Sequence, residues 1–307
     1  MAETIFKASG LCKKYKNIFA LDHIDMEIHR GEIYGFIGEN GAGKTTTIRL
    51  ITGLAFPSSG TISLFGQTGE KDLNAQRKRM GCIIEAPSVY PDLTARQNLE
   101  VQRIQRGIPG KGYVNEILET VKLADTGRKK AGDFSLGMKQ RLGLGIALLG
   151  QPEFLILDEP LNGLDPMGIV EMRGLLQKLN HEKNMTILTS SHILSELSQL
   201  ATCYGIIHQG KMLEQISAKE LNEKCKKHIR IRVNDTAKAA TVLETQLNSS
   251  NFEVFSGNVI RLYDFLDEVG KVSSALSAGN VVIEEISPCG DDLETYFTRL
   301  IGGVPND

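Results

Sequence analysis

A glycine-rich segment carries the residue types that bind phosphate groups. Residues 38–45, GENGAGKT, match the spacing G-x-x-x-x-G-K-[ST] in full. Glycines allow positive φ and close backbone approach, so that successive N–H groups can surround phosphate oxygens. Lys44 can reach the β and γ phosphates of a nucleotide, and Thr45 offers a hydroxyl to Mg²⁺. The predicted nucleotide-binding residues of this segment are Gly38, Asn40, Gly41, Ala42, Gly43, Lys44, Thr45 and Thr46.

Two adjacent carboxylates follow an apolar run further along the chain. Residues 154–157, FLIL, are typical of a buried strand, and Asp158 and Glu159 come directly after them. Beside a phosphate site, we expect Asp158 to hold Mg²⁺, either directly or through one of the ligands of the ion. Glu159 lies one residue further, nearer the γ-phosphate, and we expect it to polarise the attacking water as general base. Hydrolysis then requires mainly positioning and charge neutralisation.

The elements around these motifs indicate an α/β core. The runs 32–37, 153–157 and 185–189 are apolar and end in loops, and helical patterns follow at 44–54 and 190–200. Apolar strands that alternate with helices predict a parallel sheet with helices on its faces. A mainly helical insertion is predicted from about residue 91 to residue 149, with helices at 98–106, 115–122 and 138–149.

The pattern changes between residues 216 and 228, and we place a domain boundary after residue 225. Residues 228–233, HIRIRV, alternate apolar and charged side chains, as a half-exposed strand does. The order strand, helix, strand, strand, helix, strand resembles a small ferredoxin-like unit. Its elements, with a final helix, are predicted at 228–233, 236–247, 252–255, 259–263, 266–276, 281–286 and 293–301. This part carries no chemical motif, and we expect a module that stabilises a dimer or regulates the core.

Composition limits the partners of the chain. Its formal net charge of -2 favours neither nucleic acid nor an anionic membrane surface as a partner. The five cysteines form no C-x-x-C pair and are expected to be reduced thiols. Residues 1–10 do not resemble a signal peptide, and the most apolar stretch, 142–157, is too short and interrupted to span a bilayer. Any membrane role is therefore expected to depend on a partner.

Residues 134–141, FSLGMKQR, identify the family that the chain resembles. They are similar to the signature of ABC ATPases, usually written L-S-G-G-Q. Together with the phosphate loop and the acidic strand end, the resemblance covers about residues 4 to 220. It implies a P-loop NTPase core with a helical subdomain. It also implies a head-to-tail homodimer with two ATP molecules at the interface, in which Ser135 and Gly137 of one subunit contact the γ-phosphate held by the other.

The resemblance also assigns three residues outside these motifs. Tyr15 lies where the family places an aromatic ring that stacks on adenine. Asp165 closes a segment, residues 162–165, that resembles the D-loop. His192 looks like the switch histidine, which contacts the γ-phosphate. Taken singly, each residue would more often be packing, a turn or a helix cap; their order relative to the phosphate loop favours the functional interpretation.

Three residues depart from the family pattern. Leu136 and Met138 stand in the signature where glycine and glutamine are usual. Glu85 stands where the family usually has a glutamine that binds Mg²⁺ through a neutral oxygen. A glutamate oxygen has similar reach but adds negative charge near the triphosphate. We therefore expect altered metal dependence rather than lost activity.

The whole pattern resembles the bacitracin-resistance and lantibiotic-immunity type of ABC ATPase. That resemblance implies a separate multi-spanning permease, a peripheral position on the cytoplasmic face of the membrane and a role in removing peptide antibiotics. Residues 85–92 would then touch a permease helix. The alternatives are another bacterial exporter, a soluble ABC ATPase of translation or repair, and a GTPase. A GTPase would require an N-K-x-D motif and would leave Tyr15 and Ser135 unexplained.

Overall fold

The computed structural model describes residues 3–110, 112–290 and 293–302. Its backbone divides into two units, Met1–Ala218 and Lys219–Asp307. The division falls at the beginning of helix Ala218–Cys225 rather than at its end, where we expected the boundary. Within the described ranges, no helix is both long and apolar enough to cross a bilayer. The five cysteines all lie in the described ranges, and none of them is in a disulfide bond there.

The residues of the first unit that the structure describes contain nine strands in two sheets. They are β1 (Thr4–Tyr15), β2 (Ile18–His29), β3 (Ile33–Ile37), β4 (Ser59–Leu64), β5 (Met80–Ile83), β6 (Phe154–Leu157), β7 (Thr186–Ser191), β8 (Cys203–His208) and β9 (Lys211–Ser217). The larger sheet has the order β5-β6-β7-β3-β8-β9. Every pairing in it is parallel except that of β9 with β8. This confirms the predicted α/β core. It also brings the carboxyl ends of β3, β6 and β7 to one edge.

Seven α-helices accompany these strands in the described part of the first unit. They are α1 (Lys44–Thr52), α2 (Glu70–Arg77), α3 (Ala95–Gln105), α4 (Gly112–Thr120), α5 (Leu136–Leu148), α6 (Pro166–Lys183) and α7 (Leu194–Ser198). Helices α3, α4 and α5 pack on one another and form the predicted helical insertion. A capping box starts α3, because Thr94 and Gln97 each bond the backbone N–H of the other.

The smaller sheet, with the order β2-β1-β4, has no counterpart in the sequence interpretation. Strands β1 and β2 pair antiparallel, but their register shifts at four places. These shifts disturb the alternation of buried and exposed residues by which a strand is recognised. Apolar side chains of β1, β2 and β4 join those of α1 and the large sheet in one hydrophobic core.

The prediction of a helix over residues 190–200 is wrong for its first residues. Ser190 and Ser191 continue β7, and the helix extends only from Leu194 to Ser198. The hydroxyl of Ser190 donates a hydrogen bond to Asp158 at the end of the neighbouring strand, at 2.6 Å. Pairing with Phe36 of β3 places Ser190 in the sheet, and the bond to Asp158 holds its hydroxyl against the acidic pair.

The second unit confirms the ferredoxin-like prediction. Its elements are α8 (Ala218–Cys225), β10 (His228–Val233), α9 (Thr236–Gln246), β11 (Phe252–Phe255), β12 (Val259–Leu262), α10 (Val269–Ala278), β13 (Ile283–Cys289) and α11 (Leu293–Gly302). The sheet order is β11-β12-β10-β13, and all pairings are antiparallel. Helix α10 begins three residues later than predicted, after Phe265, whose φ of 59° lies in the left-handed region. Residues 303–307 of the predicted domain lie outside the described residues.

Candidate functional site

The glycine-rich segment forms the turn between β3 and α1. Gly41 and Gly43 have φ values of +83° and +116°, which other residues rarely adopt. A Cβ on Gly43 would lie 2.7 Å from a methyl carbon of Leu21 and 2.9 Å from the carbonyl oxygen of Ala20. The turn is therefore packed directly on β2, and no larger residue fits there. No side chain caps α1, which leaves the N–H groups of its first turn for an anion.

Lys44 places a buried ammonium group under this turn. Its side chain is 5% exposed. The Nζ atom donates to the carbonyl oxygens of Gly38 at 2.6 Å and Glu39 at 3.1 Å, and lies 3.4 Å from Oε1 of Glu159. A cavity of about 140 Å³ lies here, lined by Ala20, Asn40, Gly41, Gly43, Lys44, Thr45, Thr46 and Glu159. A cation with mainly carbonyl partners beside an open cavity suits an anionic ligand such as a phosphate.

Asp158 joins the phosphate loop to the ends of β6 and β7. Its carboxylate is 4% exposed. Thr45 Oγ1 donates to its Oδ2 at 2.8 Å, and Ser190 Oγ donates to its Oδ1 at 2.6 Å. The backbone N–H of Glu159 donates to the same Ser190 hydroxyl at 2.9 Å. Both predicted acidic residues are thus fixed by one serine from the neighbouring strand.

Glu159 is held in an uncommon backbone conformation, with φ of 48°. Asn162 Nδ2 donates to its Oε2 at 3.3 Å. The Nδ1 atom of His192 lies 3.3 Å from the same oxygen. That nitrogen is buried and makes no hydrogen bond to any part of the chain that the structure describes. The structure therefore brings together Lys44, Glu159 and His192, which are far apart in sequence.

Glu85 lies at a second cavity, of about 410 Å³, beside the first. Its φ is 64°, and its carboxylate forms an ion pair with the guanidinium of Arg49. The residues that line this cavity are Thr45, Glu85, Ala86, Pro87, Leu136, Gln140, Asp158, Glu159 and Asn162. Thr45, Glu85 and Asp158, the three predicted metal ligands, therefore share one cavity. Hydroxyl and carboxylate oxygens are the donors that Mg²⁺ prefers, so these residues fit that ion.

The signature segment begins α5. Ser135 is its N-cap and accepts a hydrogen bond from the backbone N–H of Met138 at 3.3 Å. Leu136 is 46% exposed, and a Cβ on Gly163 would lie 3.1 Å from its Cδ2 atom, so that Leu136 lies against the 162–165 segment. Neither Ser135 nor Gly137 lines either cavity of its own chain.

Tyr15 and Asp165 lie outside both cavities as well. Tyr15 ends β1 with 48% of its side chain exposed, and the ammonium of Lys13 lies 4.9 Å from the ring centre. Asp165 is the N-cap of α6 and accepts from the backbone N–H of Gly168 at 3.2 Å. Asp165 therefore has a local role as a cap, whereas the ring of Tyr15 remains open to a ligand.

Sequence reasoning did not assign several polar residues that contact or line this site, among them Arg49, Gln140, Asn162 and Ser190. Ser190 was assigned to a helix, although two serines directly after an apolar run could have indicated a hydroxyl-bearing strand end. Gln140 was read only as part of the signature. Its Oε1 atom is buried without a hydrogen-bond partner among the described residues. No sequence pattern predicts the pairing of Arg49 with Glu85, because it depends on how α1 lies beside the end of β5.

Comparison with known proteins places this site in a family. A family model described as ABC transporter matches residues 21–162. The chain is 45% identical over 300 residues to the bacitracin transport ATP-binding protein BcrA of Bacillus licheniformis, covering 98% of each protein. It is 40% identical over 210 residues to the lantibiotic transport ATP-binding protein SrtF of Streptococcus pyogenes, covering 68% of this chain and 89% of that protein.

Solved structures give the same result. The structure of cbiO1 from Clostridium perfringens, part of the ABC transporter complex cbiONQ, has a TM-score of 0.67 and 27% identity. The match covers 72% of this chain and 92% of cbiO1. The chain therefore belongs to the ATP-binding proteins of ABC transporters, which are ATPases coupled to transport.

Proposed function

We propose that this chain energises a transporter that exports, or confers resistance to, peptide antibiotics of the bacitracin or lantibiotic type. A separate multi-spanning permease would form the pathway and hold the chain at the membrane. The substrate class rests on the two antibiotic transport relatives, one of which matches over 98% of its length. The ATPase role rests on one observation, the cluster in which Lys44, Asp158 and Glu159 meet at the ends of β3, β6 and β7.

In this proposal the phosphate loop binds the triphosphate of ATP. The backbone N–H groups of residues 41–46 surround the phosphate oxygens, and Lys44 exchanges its carbonyl partners for the β and γ phosphates. Each charge-assisted hydrogen bond contributes about 1.5–3 kcal/mol. Tyr15, with its exposed ring, stacks on the adenine, which contributes roughly 1–3 kcal/mol.

Thr45, Asp158 and Glu85 would hold Mg²⁺. Thr45 gives its hydroxyl hydrogen to Asp158, so the lone pairs of Oγ1 stay free to face a cation. Mg²⁺ neutralises the charge that develops on the phosphates. The pairing of Glu85 with Arg49 offsets the additional negative charge that this glutamate brings.

Glu159 would act as general base. Its carboxylate would accept a proton from the attacking water as the water oxygen bonds to the γ-phosphorus. The bond from that phosphorus to the β–γ bridging oxygen breaks, ADP leaves with the bonding electron pair, and the proton remains on Glu159 until product leaves. The Asn162 amide contacts Oε2 of this carboxylate and would orient it. His192, whose Nδ1 lies at the same carboxylate without a hydrogen bond, would face the γ-phosphate with its other nitrogen.

Two copies of the chain would close on two ATP molecules. Ser135 and Gly137 are the signature residues, yet they line neither cavity of their own chain. A second copy, arranged head to tail, would bring them and Asp165 to the γ-phosphate. ATP favours this closed state by the contacts that it makes only there. Residues 85–92, which include the half-exposed Tyr90, would transmit closure to the permease.

The solution mass of Glu159→Gln, with and without ATP and Mg²⁺, tests this mechanism. Glutamine keeps the shape but cannot accept the proton, so we expect turnover to fall about 10²–10⁴-fold while ATP stays bound. The variant should then shift from monomer to dimer only with nucleotide. Lys44→Ala combined with Glu159→Gln is the matched control, and we expect it to stay monomeric.

A constant mass with ATP demonstrably bound would contradict nucleotide-driven closure of the isolated chain. The substrate class needs a separate test in cells that express the chain together with its permease. We expect the wild type, but not Glu159→Gln, to raise resistance to bacitracin or a lantibiotic. Unchanged resistance despite intact ATPase activity would favour another exporter. Absence of any co-purifying multi-spanning protein would favour a soluble ABC ATPase.

A further inference from the structure

A cysteine, an aspartate and a histidine meet on the antiparallel sheet of the first unit, apart from the cavities described above. Cys12 lies on β1, and Asp22 and His23 lie on β2. One metal-binding atom of each residue lies within 4.8 Å of those of the other two. In the described ranges this is the one group of three such side chains at that spacing. The register shifts between β1 and β2 bring residues of both strands to one point.

We propose that Cys12, Asp22 and His23 form a binding site for a thiophilic divalent cation of the zinc type. Thiolate, imidazole and carboxylate are the three ligand classes that Zn²⁺ takes in proteins, and a water completes a tetrahedral site with three protein ligands. Tetrahedral bonds of about 2.0–2.3 Å put donor atoms roughly 3.3–3.8 Å apart. The three ligand atoms lie within 4.8 Å of one another, and the His23–Asp22 pair, at 2.7 Å, would have to open slightly. Rotation of the exposed His23 side chain would make that adjustment.

The surroundings of Cys12 suit a metal thiolate. Its residue is only 2% exposed. The backbone N–H of His23 donates to Sγ at 3.2 Å, and such a bond stabilises negative charge on the sulfur. The thiol in turn donates to the carbonyl oxygen of Gly10 at 3.6 Å. When a cation binds, the sulfur lone pair forms the new bond and this thiol proton is released to solvent.

Asp22 and His23 provide the open side of the site. His23 Nδ1 lies 2.7 Å from Asp22 Oδ1, and 74% of the histidine side chain is exposed. The imidazole is therefore the solvent-facing side of the site, from which a cation would approach the buried sulfur. The other oxygen of Asp22 lies 3.4 Å from the ammonium of Lys211, whose side chain is 66% exposed. An entering cation would therefore compete with the Lys211 ammonium for the carboxylate of Asp22.

The site is connected to the phosphate loop by backbone hydrogen bonds. Asp22 N–H donates to the carbonyl oxygen of Gly210 at 2.8 Å, and Gly210 N–H donates to that of Ala42 at 2.9 Å. A cation that binds Asp22 would therefore be linked to the glycine-rich turn through two backbone hydrogen bonds. The binding proposal does not depend on the proposed transport function, since its test requires no hydrolysis.

The test is titration of the full chain with Co²⁺ and then Zn²⁺, in the absence of nucleotide. Co²⁺ on a thiolate gives a charge-transfer absorption, and Zn²⁺ should abolish it by displacement. We expect one ion per chain and release of one proton. Cys12→Ser should remove the absorption. His23→Asn should weaken binding about tenfold or more; asparagine tolerates the positive φ of 53° at this position.

Three further variants make the result specific. Cys82→Ser and His181→Asn change a thiol and an imidazole outside the group, and both should bind as the wild type does. Lys211→Gln removes the competing ammonium and should tighten binding severalfold. ATP affinity checks that every variant is folded. Equal binding by wild type, Cys12→Ser and His23→Asn, or weaker binding by Lys211→Gln, would overturn the proposal.

Discussion

The two units of the chain bury different kinds of side chain. The first unit buries charged and hydroxyl groups around its phosphate loop, including Lys44, Thr47, Asp158, Ser190 and Ser191. Within the described part of the second unit, Ser249 is the buried polar residue. Its other described buried side chains, apart from Leu221 and Tyr296, form an apolar cluster of strand and helix residues.

This difference indicates that the first unit carries the chemical site and that the second unit has none of the same kind among its described residues. Burying a polar group costs free energy unless the group is paired, so a concentration of paired buried polar groups indicates a functional site. The second unit instead keeps its charges on the exposed side of the sheet, as in the pair of Arg230 with Glu285. Exposed pairs of that kind contribute little to stability. The contrast predicts that damage to the second core leaves nucleotide binding intact.

Ile231→Ala tests that prediction and should have the largest effect on stability. Ile231 is fully buried on β10, opposite Ile260 and Ile286. Loss of its side chain should lower the free energy of unfolding of the second unit by about 2–5 kcal/mol. Denaturant unfolding followed by circular dichroism measures the loss, and nucleotide titration should give the wild-type ATP affinity.

Val254→Ala, which changes an exposed side chain of β11, is the matched control. Val254 is 52% exposed, so its replacement should change stability by about 0.5 kcal/mol or less. If Ile231→Ala lowered ATP affinity as much as it lowered stability, the two units would not be energetically separate.

Sequence reasoning predicted the parts of the chain where one pattern dominates. The phosphate loop is a complete local motif, and the strands at 33–37 and 154–157 are uniformly apolar. The strands predicted at 252–255 and 259–263 form the β11–β12 hairpin, and Gly257 between them has a positive φ of 80°, which suits such a turn.

The sequence could not predict what depends on register or on long-range pairing. Strands β1 and β2 carry shifts that place buried residues next to one another, so the period of two is lost. Ser190 resembles a helix start because serine is a common N-cap, whereas in the structure it pairs with Phe36 of β3 and its hydroxyl bonds to Asp158. Arg49 pairs with Glu85 across 36 residues of sequence.

Ser190→Ala tests how much the buried hydrogen bonds within the polar site of the first unit contribute to its activity. Its hydroxyl satisfies both Asp158 Oδ1 and the N–H of Glu159. An unsatisfied buried group costs about 1–3 kcal/mol, so turnover should fall about tenfold or more. The Mg²⁺ concentration for half-maximal activity should rise, while ATP affinity without metal should not change. Steady-state ATPase assays across Mg²⁺ concentrations measure both effects.

Two variants separate a positioning role of Ser190 from a packing role. Ser190→Thr keeps the hydroxyl and should restore most of the activity. Thr189→Val changes the adjacent residue of the same strand, whose Oγ1 atom is buried without a partner among the described residues. It should behave as the wild type does. Equal losses in Ser190→Ala and Thr189→Val would mean that the hydroxyl of Ser190 positions neither acid.

Glu85→Gln should have a smaller effect, on metal dependence rather than on turnover. The substitution removes the partner of Arg49 and leaves an unpaired cation beside the cavity of Thr45 and Asp158. We expect the half-maximal Mg²⁺ concentration to rise severalfold. Combining it with Arg49→Gln should reverse the change, since the unpaired charge is then gone. Unchanged Mg²⁺ dependence in Glu85→Gln would remove Glu85 from the metal site.

Glu153→Gln should have the smallest effect on stability, and that effect should depend on pH. Its carboxylate bonds to the guanidinium of Arg79 at 2.7 and 2.9 Å and to that of Arg30 at 3.0 Å. The hydrogen bonds from Arg79, with those from Arg30, hold the pKa of Glu153 below its ordinary value of 4.5. A depressed pKa stabilises the fold above that value, and the contribution disappears as pH falls through the folded pKa.

Wild type should therefore exceed Glu153→Gln in stability at neutral pH by less than about 1 kcal/mol, since the pair is partly exposed. The difference should shrink to zero as pH falls below 4.5. Thermal unfolding at a series of pH values measures it, with Glu119→Gln on the exposed face of α4 as the control that should match the wild type throughout. A stability difference that did not depend on pH would show that Glu153 acts through packing. Charge pairing outside the polar site would then contribute as little to stability here as it does on the sheet of the second unit.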